Sequence, residues 1–325
     1  MINIRFFQAK PALIDPILTK IRKGIDDDHP MVTQMDGSLQ KKNMKKILVP
    51  CDFSAPAQEA FNFAVNIARQ NNGEIHVLYV IDTAFVNNST GNFSHAAAFN
   101  GVFLQKLEEQ QLNEKFVAMK ERYAHELFSV FFKIDIGSLT QTIENYVRDK
   151  NLDLVVMGTH GASGLKEFFV GSNTEKVVRS SNVPVIAVPD GGKAIQSIGN
   201  IVFPVVPKQR TSNFVNEIKV IQNFFQSKLH MLWVNTPHNF KSDGEAIEDL
   251  QDFANYHHFK DYTVNVRSEH IEQDGILGFA REINADLITI PTHGRKGLIH
   301  WLSGSIAEDI VNHVRCPVWT CGIRE

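Results

Sequence analysis

Cysteine is scarce in this chain of 325 residues: there are three, Cys51, Cys316 and Cys321, and no CxxC pair. An odd, widely spaced set argues against a disulfide framework and points to reduced thiols and a cytoplasmic location. No apolar run is long enough to span a bilayer. Charge of one sign is lacking too, with 33 basic against 36 acidic residues and a net charge of -3. Without a basic stripe, nothing favours a nucleic acid or a membrane surface as partner. Residues 1–43 lack the apolar segment and cleavage site of a signal peptide. They read as an N-terminal extension, either a mobile tail with a short helix near Ile14 to Ile21 or sequence ahead of a start at Met44.

What is present is a repeat. Met157-Gly158-Thr159-His160-Gly161-Ala162-Ser163-Gly164-Leu165 is followed by Gly171-Ser172. Ile290-Pro291-Thr292-His293-Gly294-Arg295-Lys296-Gly297-Leu298 is followed by Gly304-Ser305, 133 residues further on. Two domains of about 140 residues, each able to bury a core, suit this length. The expected boundaries are 44–192 and 197–325.

Within each copy, short apolar runs alternate with helical patterns. In the first, strands are expected at Ile47 to Val49, Ile75 to Ile81, Ser129 to Ile136, Leu152 to Met157 and Val185 to Val188. Ser54 and Pro56 open the first helix. A long helix is expected from Val102 to Leu127, after an Asn-rich surface loop over 82–101. Further helices are expected over Leu139 to Val147 and Ser172 to Ser180. The second copy repeats the order, with strands at Ile201 to Phe203, Leu229 to Val234, Thr263 to Arg267, Leu287 to Ile290 and Val318 to Cys321. Helices are expected at Phe214 to Phe225, Asp243 to His257, Ile271 to Ile283 and Ile306 to Val314. This alternation predicts an α/β chain of two tandem doubly wound, five-stranded parallel-sheet domains.

Ligands of such sheets sit beyond the carboxyl ends of the strands, where strand order reverses. That directs attention to the loops after strands one and four. Asp52, just past the first strand, reads either as a carboxylate for a ribose or adenine amine or as a loop acid capping the next helix. Gly158, Gly161 and Gly164 allow close backbone approach. Gly171-Ser172 opens a helix whose first amides favour a phosphate, with Ser172, Asn173 and Thr174 as side-chain donors. His160 and its counterpart His293 read as loop-packing or phosphate-contacting residues, because no partner carboxylate or nucleophile sits at fixed spacing. Cys51 reads as a small buried residue beside the pocket. His257 and His258 do not form a metal site. Lys208, Arg210, Arg295 and Lys296 read as solvated surface charge.

The set Val49-Pro50-x-Asp52-x-Ser54 with Gly158-x2-Gly161-x9-Gly171-Ser172 resembles the universal stress protein family, over about residues 44 to 325 as two fused copies. The resemblance implies an adenine nucleotide α-hydrolase-like sheet in the order 3-2-1-4-5. It implies that Asp52 holds the adenosine end and that Val80 meets adenine through its backbone. Gly158, Gly161, Gly171, Ser172 and Asn173 would line the phosphates. Pro50, Cys51, Met157, His160 and Thr174 complete the expected nucleotide-binding set. The ligand would be ATP or a related adenine nucleotide, with Mg as its companion ion. In the family the fifth strand pairs two domains; here the copies could pair within one chain, and a homodimer would be a further step.

The second copy departs from this pattern. Val206 stands at the position of Asp52 and Pro291 at that of Gly158. It keeps Gly294, Gly304 and Ser305 but loses the nucleoside contacts. The resulting expectation is a stress-response binding or signalling protein with no catalytic residues and at most slow ATP hydrolysis. One rival is an enzyme of the same superfamily, although neither an SGGxDS-type loop nor an HxGH element is present. The other is a nucleotide-free interaction protein in which both glycine loops only cap helices.

Overall fold

Ile47, Leu48 and Val49 are all fully buried, so the strand that carries them is covered on both faces. That is the environment of a parallel sheet flanked by helices. The structure is a computed structural model and describes residues 44–82, 110–159, 172–191, 197–205, 212–293, 310 and 314–323. The first half contributes β1 (Lys46–Pro50), α1 (Ala55–Asn71), β2 (Glu74–Asp82), α2 (110–122), β3 (Ser129–Gly137), α3 (Leu139–Lys150), β4 (Leu154–Gly158), α4 (Ser172–Ser180) and β5 (Val185–Val188). The second contributes β6 (Asn200–Pro204), α5 (Ser212–Phe225), β7 (Lys228–Asn235), α6 (Asp243–Tyr256), β8 (Tyr262–Ser268), α7 (Glu272–Glu282), β9 (Leu287–His293) and β10 (Val318–Ile323).

These strands form one ten-stranded sheet in the order β3-β2-β1-β4-β5-β10-β9-β6-β7-β8. Each half is parallel throughout and runs 3-2-1-4-5. Between the halves, β10 lies antiparallel to β5, with Trp319 opposite Ile186. On one face Ile47, Val49, Phe61, Ile186, Phe203, Ile218 and Trp319 belong to one continuous core. The other face holds two separate cores, one around Leu48, Leu78 and Ile143 and one around Val202, Leu232 and Ile276.

Local chemistry sets the element ends. Ser54 caps α1 by accepting from Ala57 N at 3.4 Å, and Asn72 closes the helix in the left-handed conformation at φ 50°. Ser242 and Glu245 form a capping box at the start of α6. Asp153 Oδ2 accepts the amides of Lys45 and Lys46, both at 3.0 Å, and pins the start of β1 to the start of β4. Asp286 Oδ2 does the same for Gly199 and Asn200 at 2.9 Å, between β9 and β6.

Three expectations need correction, the simplest being the helix expected over Leu139 to Val147, which runs on to Lys150. The helix expected to reach Leu127 ends at 122. Tyr123 turns edge-on to Phe61, with ring centroids 5.5 Å apart, and the chain bends so that Phe128 enters the core while Leu127 stays exposed. The strand expected over Leu287 to Ile290 continues to His293, because β10 offers partners as far as Ile323. β6 pairs with β9 only as far as Ile288, so Pro291 faces no partner on that side and its missing N–H breaks no ladder. The Asn-rich segment, the helix near Ile14 and most of the helix expected over Ile306 to Val314 lie outside the described residues.

Candidate functional site

The strand order creates a switch point in the first half. β1 and β4 are neighbours, with Ile47 beside Leu154 and Leu48 beside Val155. From β1 the chain builds outward to β2 and β3, and from β4 in the other direction to β5. The crevice beyond the carboxyl ends of β1 and β4 is therefore the candidate site, since ligands of doubly wound sheets sit at such a point. Pro50, Cys51 and Asp52 leave β1 there, Met157 and Gly158 end β4 there, and Val80 lies close by near the end of β2.

Asp52 is exposed, and its Oδ1 accepts the amide of Ser54 at 3.0 Å. The carboxylate thus organises the turn into α1, as the reading of a loop acid at the next helix has it. Between them Phe53 adopts a left-handed backbone, φ 61°. Cys51 is buried, its Sγ accepts from Phe53 N at 3.4 Å, and burial pushes its thiol up to about 11. A thiol so far from ionisation is a packing residue. Met157 is likewise buried, in the core beneath α3 and α4. Val80 is half-buried.

Gly158 has a reason to be glycine that the sequence does not show. A Cβ there would lie 2.7 Å from the carbonyl oxygen of Pro56 and 2.8 Å from its Cβ. The start of α1 therefore rests directly on the end of β4. From the other side Thr174 Oγ1 donates to the Gly158 carbonyl at 2.8 Å, and Thr174 is 2% exposed. Thr159 N donates to Val188 O at 2.9 Å. Thr174 is thus a tie between α4 and β4, whereas Asn173 beside it is exposed. Ser172 begins α4. His160, Gly161 and Gly171, the side chain of Ser172, and Val206, Lys208, Arg210, Arg295 and Lys296 lie outside the described residues.

In the second half α7 packs closely against the end of β7. Val234, at the position of Val80, is fully buried, and a Cβ on Gly275 of α7 would lie 2.4 Å from its Cγ1. Asn235 Oδ1 accepts from Trp233 Nε1 at 2.7 Å and from Lys241 N at 3.1 Å. Thr236 Oγ1 reaches Asn239 Oδ1 at 2.8 Å and Glu272 Oε1 at 3.3 Å. The polar groups after β7 are satisfied by one another. The sequence reading missed this network; Glu272 lies more than thirty residues from Thr236 and Asn239, so nothing local suggests it.

With the geometry described, the relatives can be named. The universal stress protein family model matches residues 43–189 and 226–321. Two universal stress proteins of Methanocaldococcus jannaschii are each 31% identical to the chain. One alignment covers 44% of this chain and 81% of that protein, the other 44% and 94%. The crystal structure of a universal stress protein from Archaeoglobus fulgidus superposes with a TM-score of 0.66 at 20% identity, covering 86% of this chain and 98% of that one. At that identity the superposition speaks for the fold.

Proposed function

Because the chain belongs to the universal stress protein family, as two tandem copies, we propose that its first half, residues 44–192, binds ATP or a related adenine nucleotide. The observation that carries this reading is the convergence of the exposed Asp52 carboxylate and the start of α4 on one switch point, joined through the Thr174–Gly158 bond. Asp52 takes the adenosine end, Val80 lies near the base, and the segment from Gly158 through His160, Gly161 and Gly171 to Ser172 and Asn173 takes the phosphates. Amides at a helix start favour that charge. Mg would accompany the phosphates as their counter-ion.

The second half, residues 197–325, serves as a structural partner. Its buried Val234 and its self-satisfied Asn235 network support that role. The antiparallel seam of β5 and β10 supports a pairing of the copies within one chain. The protein acts in the cytoplasm by binding and signalling, with ATP hydrolysis at most slow.

The test is to denature the purified protein and identify released nucleotide by chromatography and mass spectrometry. About one adenine nucleotide per chain is expected. About two would overturn the structural role of the second half. None, together with no heat of ATP binding in calorimetry, would replace this reading with a nucleotide-free interaction protein.

A further inference from the structure

Phe53 sits in a conformation that bulky side chains avoid. At φ 61° its backbone is left-handed, a genuine outlier for an aromatic residue. Such strain persists where the surroundings over-determine it, and it gathers at functional sites. The surroundings here are specific. The Phe53 amide donates to Cys51 Sγ at 3.4 Å. Its ring lies 6.3 Å from that of Tyr79 on β2 and 6.3 Å from that of Phe132 on β3. Lys115 of α2 places its ammonium 5.5 Å from the ring centroid, and the neighbouring Phe116 stacks on Phe132 at 4.3 Å.

The left-handed residue turns the chain sharply between two functional positions. Behind it, Asp52 Oδ1 receives the Ser54 amide while the carboxylate stays exposed. Ahead of it, Ser54 caps α1. The second copy differs from this device in sequence. Val206-Pro207-Lys208 occupies the matching positions, and a proline ring holds φ near -65°, which forbids the turn. Trp233 stands at the place of Tyr79, under Lys241 at 4.9 Å, and Val264 at that of Phe132. The carboxylate and the phenylalanine are absent from the second copy and Val264 replaces one ring of the clasp, while an aromatic ring under a lysine remains.

We propose that Phe53 is a positioning residue of the first-half crevice: its strained turn, clasped by Tyr79, Phe132 and Lys115, aims the Asp52 carboxylate at the ligand. The inference rests on the nucleotide reading above, and it also has a readout that needs no ligand. Amide exchange at Ser54, followed by NMR, reports whether the turn is held; calorimetry with ATP and Mg reports whether that matters for binding. In Phe53→Ala the Ser54 amide exchanges faster and ATP affinity falls about tenfold. Phe53→Tyr, which keeps the ring, restores both. In an Asp52→Asn background, Phe53→Ala brings no further loss of affinity, because its effect runs through that carboxylate. Phe53→Gly accepts positive φ without strain, so it folds if Phe53→Ala does not, and it too loosens the Ser54 amide. An unchanged Ser54 exchange rate in the ring-free variants overturns the proposal, as do independent, multiplying effects of Phe53→Ala and Asp52→Asn. Wild-type protein that takes up no ATP sinks the nucleotide reading instead, and the Ser54 rates still decide whether Phe53 holds the turn.

Discussion

Gly158 and Pro56 are 102 positions apart in the sequence, and the backbone of one leaves no room for a side chain on the other: a Cβ on Gly158 would meet the Pro56 carbonyl oxygen at 2.7 Å. The contact brings the start of α1 onto the end of β4, and so closes the floor of the crevice between Asp52 and the fourth strand.

Gly158→Ala is therefore expected to destabilise the protein by about 1–3 kcal/mol, since backbone must shift to make room. Gly244→Ala is the control. It lies in the first turn of α6 with nothing within 4 Å of its added Cβ, and alanine favours a helix. Denaturant titration of both variants checks the pair. Equal stabilities would show that the Pro56 contact relaxes freely.

Thr174→Val keeps the shape and removes the hydroxyl that donates to the Gly158 carbonyl. Because the group is buried, the expected loss is about 1–3 kcal/mol. If the start of α4 holds phosphate, ATP affinity falls as well, whereas Thr174→Ser keeps the bond and most of both. Calorimetry and thermal melts of the two variants separate these effects.

Asp153→Ala and Asp286→Ala are expected to cost about 1–2 kcal/mol each, since each carboxylate holds two backbone amides. β5 and β10 separate the two anchors in the sheet, so the double variant adds to within about 0.5 kcal/mol. A large deviation from additivity would mean that the halves share more strain across the seam than their geometry suggests.

His76 and His230 occupy the same place on β2 and β7. His76 reaches Tyr146 OH at 3.1 Å and Glu74 Oε2 at 3.3 Å; His230 reaches Thr263 Oγ1 at 2.9 Å and Asn200 Oδ1 at 3.0 Å. Burial is the main force lowering both below the ordinary 6.5. A histidine depressed in the folded state takes its proton more readily in the unfolded chain. Stability is thus fully present above pH 6.5 and drains away as the pH falls below it, toward the folded values. Denaturation midpoints should decline in that window, and the His76→Gln, His230→Gln double variant should flatten the decline. An identical slope in the double variant would assign the decline to other groups.

Much of the fold was legible because its signals are local. Val185–Val188 was read at its observed bounds, since four apolar residues between polar turns have few alternatives. Ser172–Ser180 also ends where its apolar spacing does. The misreadings fell where a distant partner decides. The end of β9 depended on how far β10 runs, and the end of α2 on the room beside Phe61. In the candidate site, the place of Asp52 just after a strand was legible, but its bond to Ser54 and the left-handed Phe53 between them were not.

By itself the sequence determined that the chain is a duplication, that helices and strands alternate, and that Val206 and Pro291 of the second copy stand at the positions of Asp52 and Gly158 in the first. Those are matters of residue type and spacing along the chain. The tertiary structure alone decided that Gly158 is glycine for the sake of Pro56, that Thr174 is a buried tie, and that Val234 is sealed beneath Gly275. Each of these depends on the approach of atoms from elements distant in sequence. Hydrophobic period and helix propensity record which face is buried, not which atom meets it there.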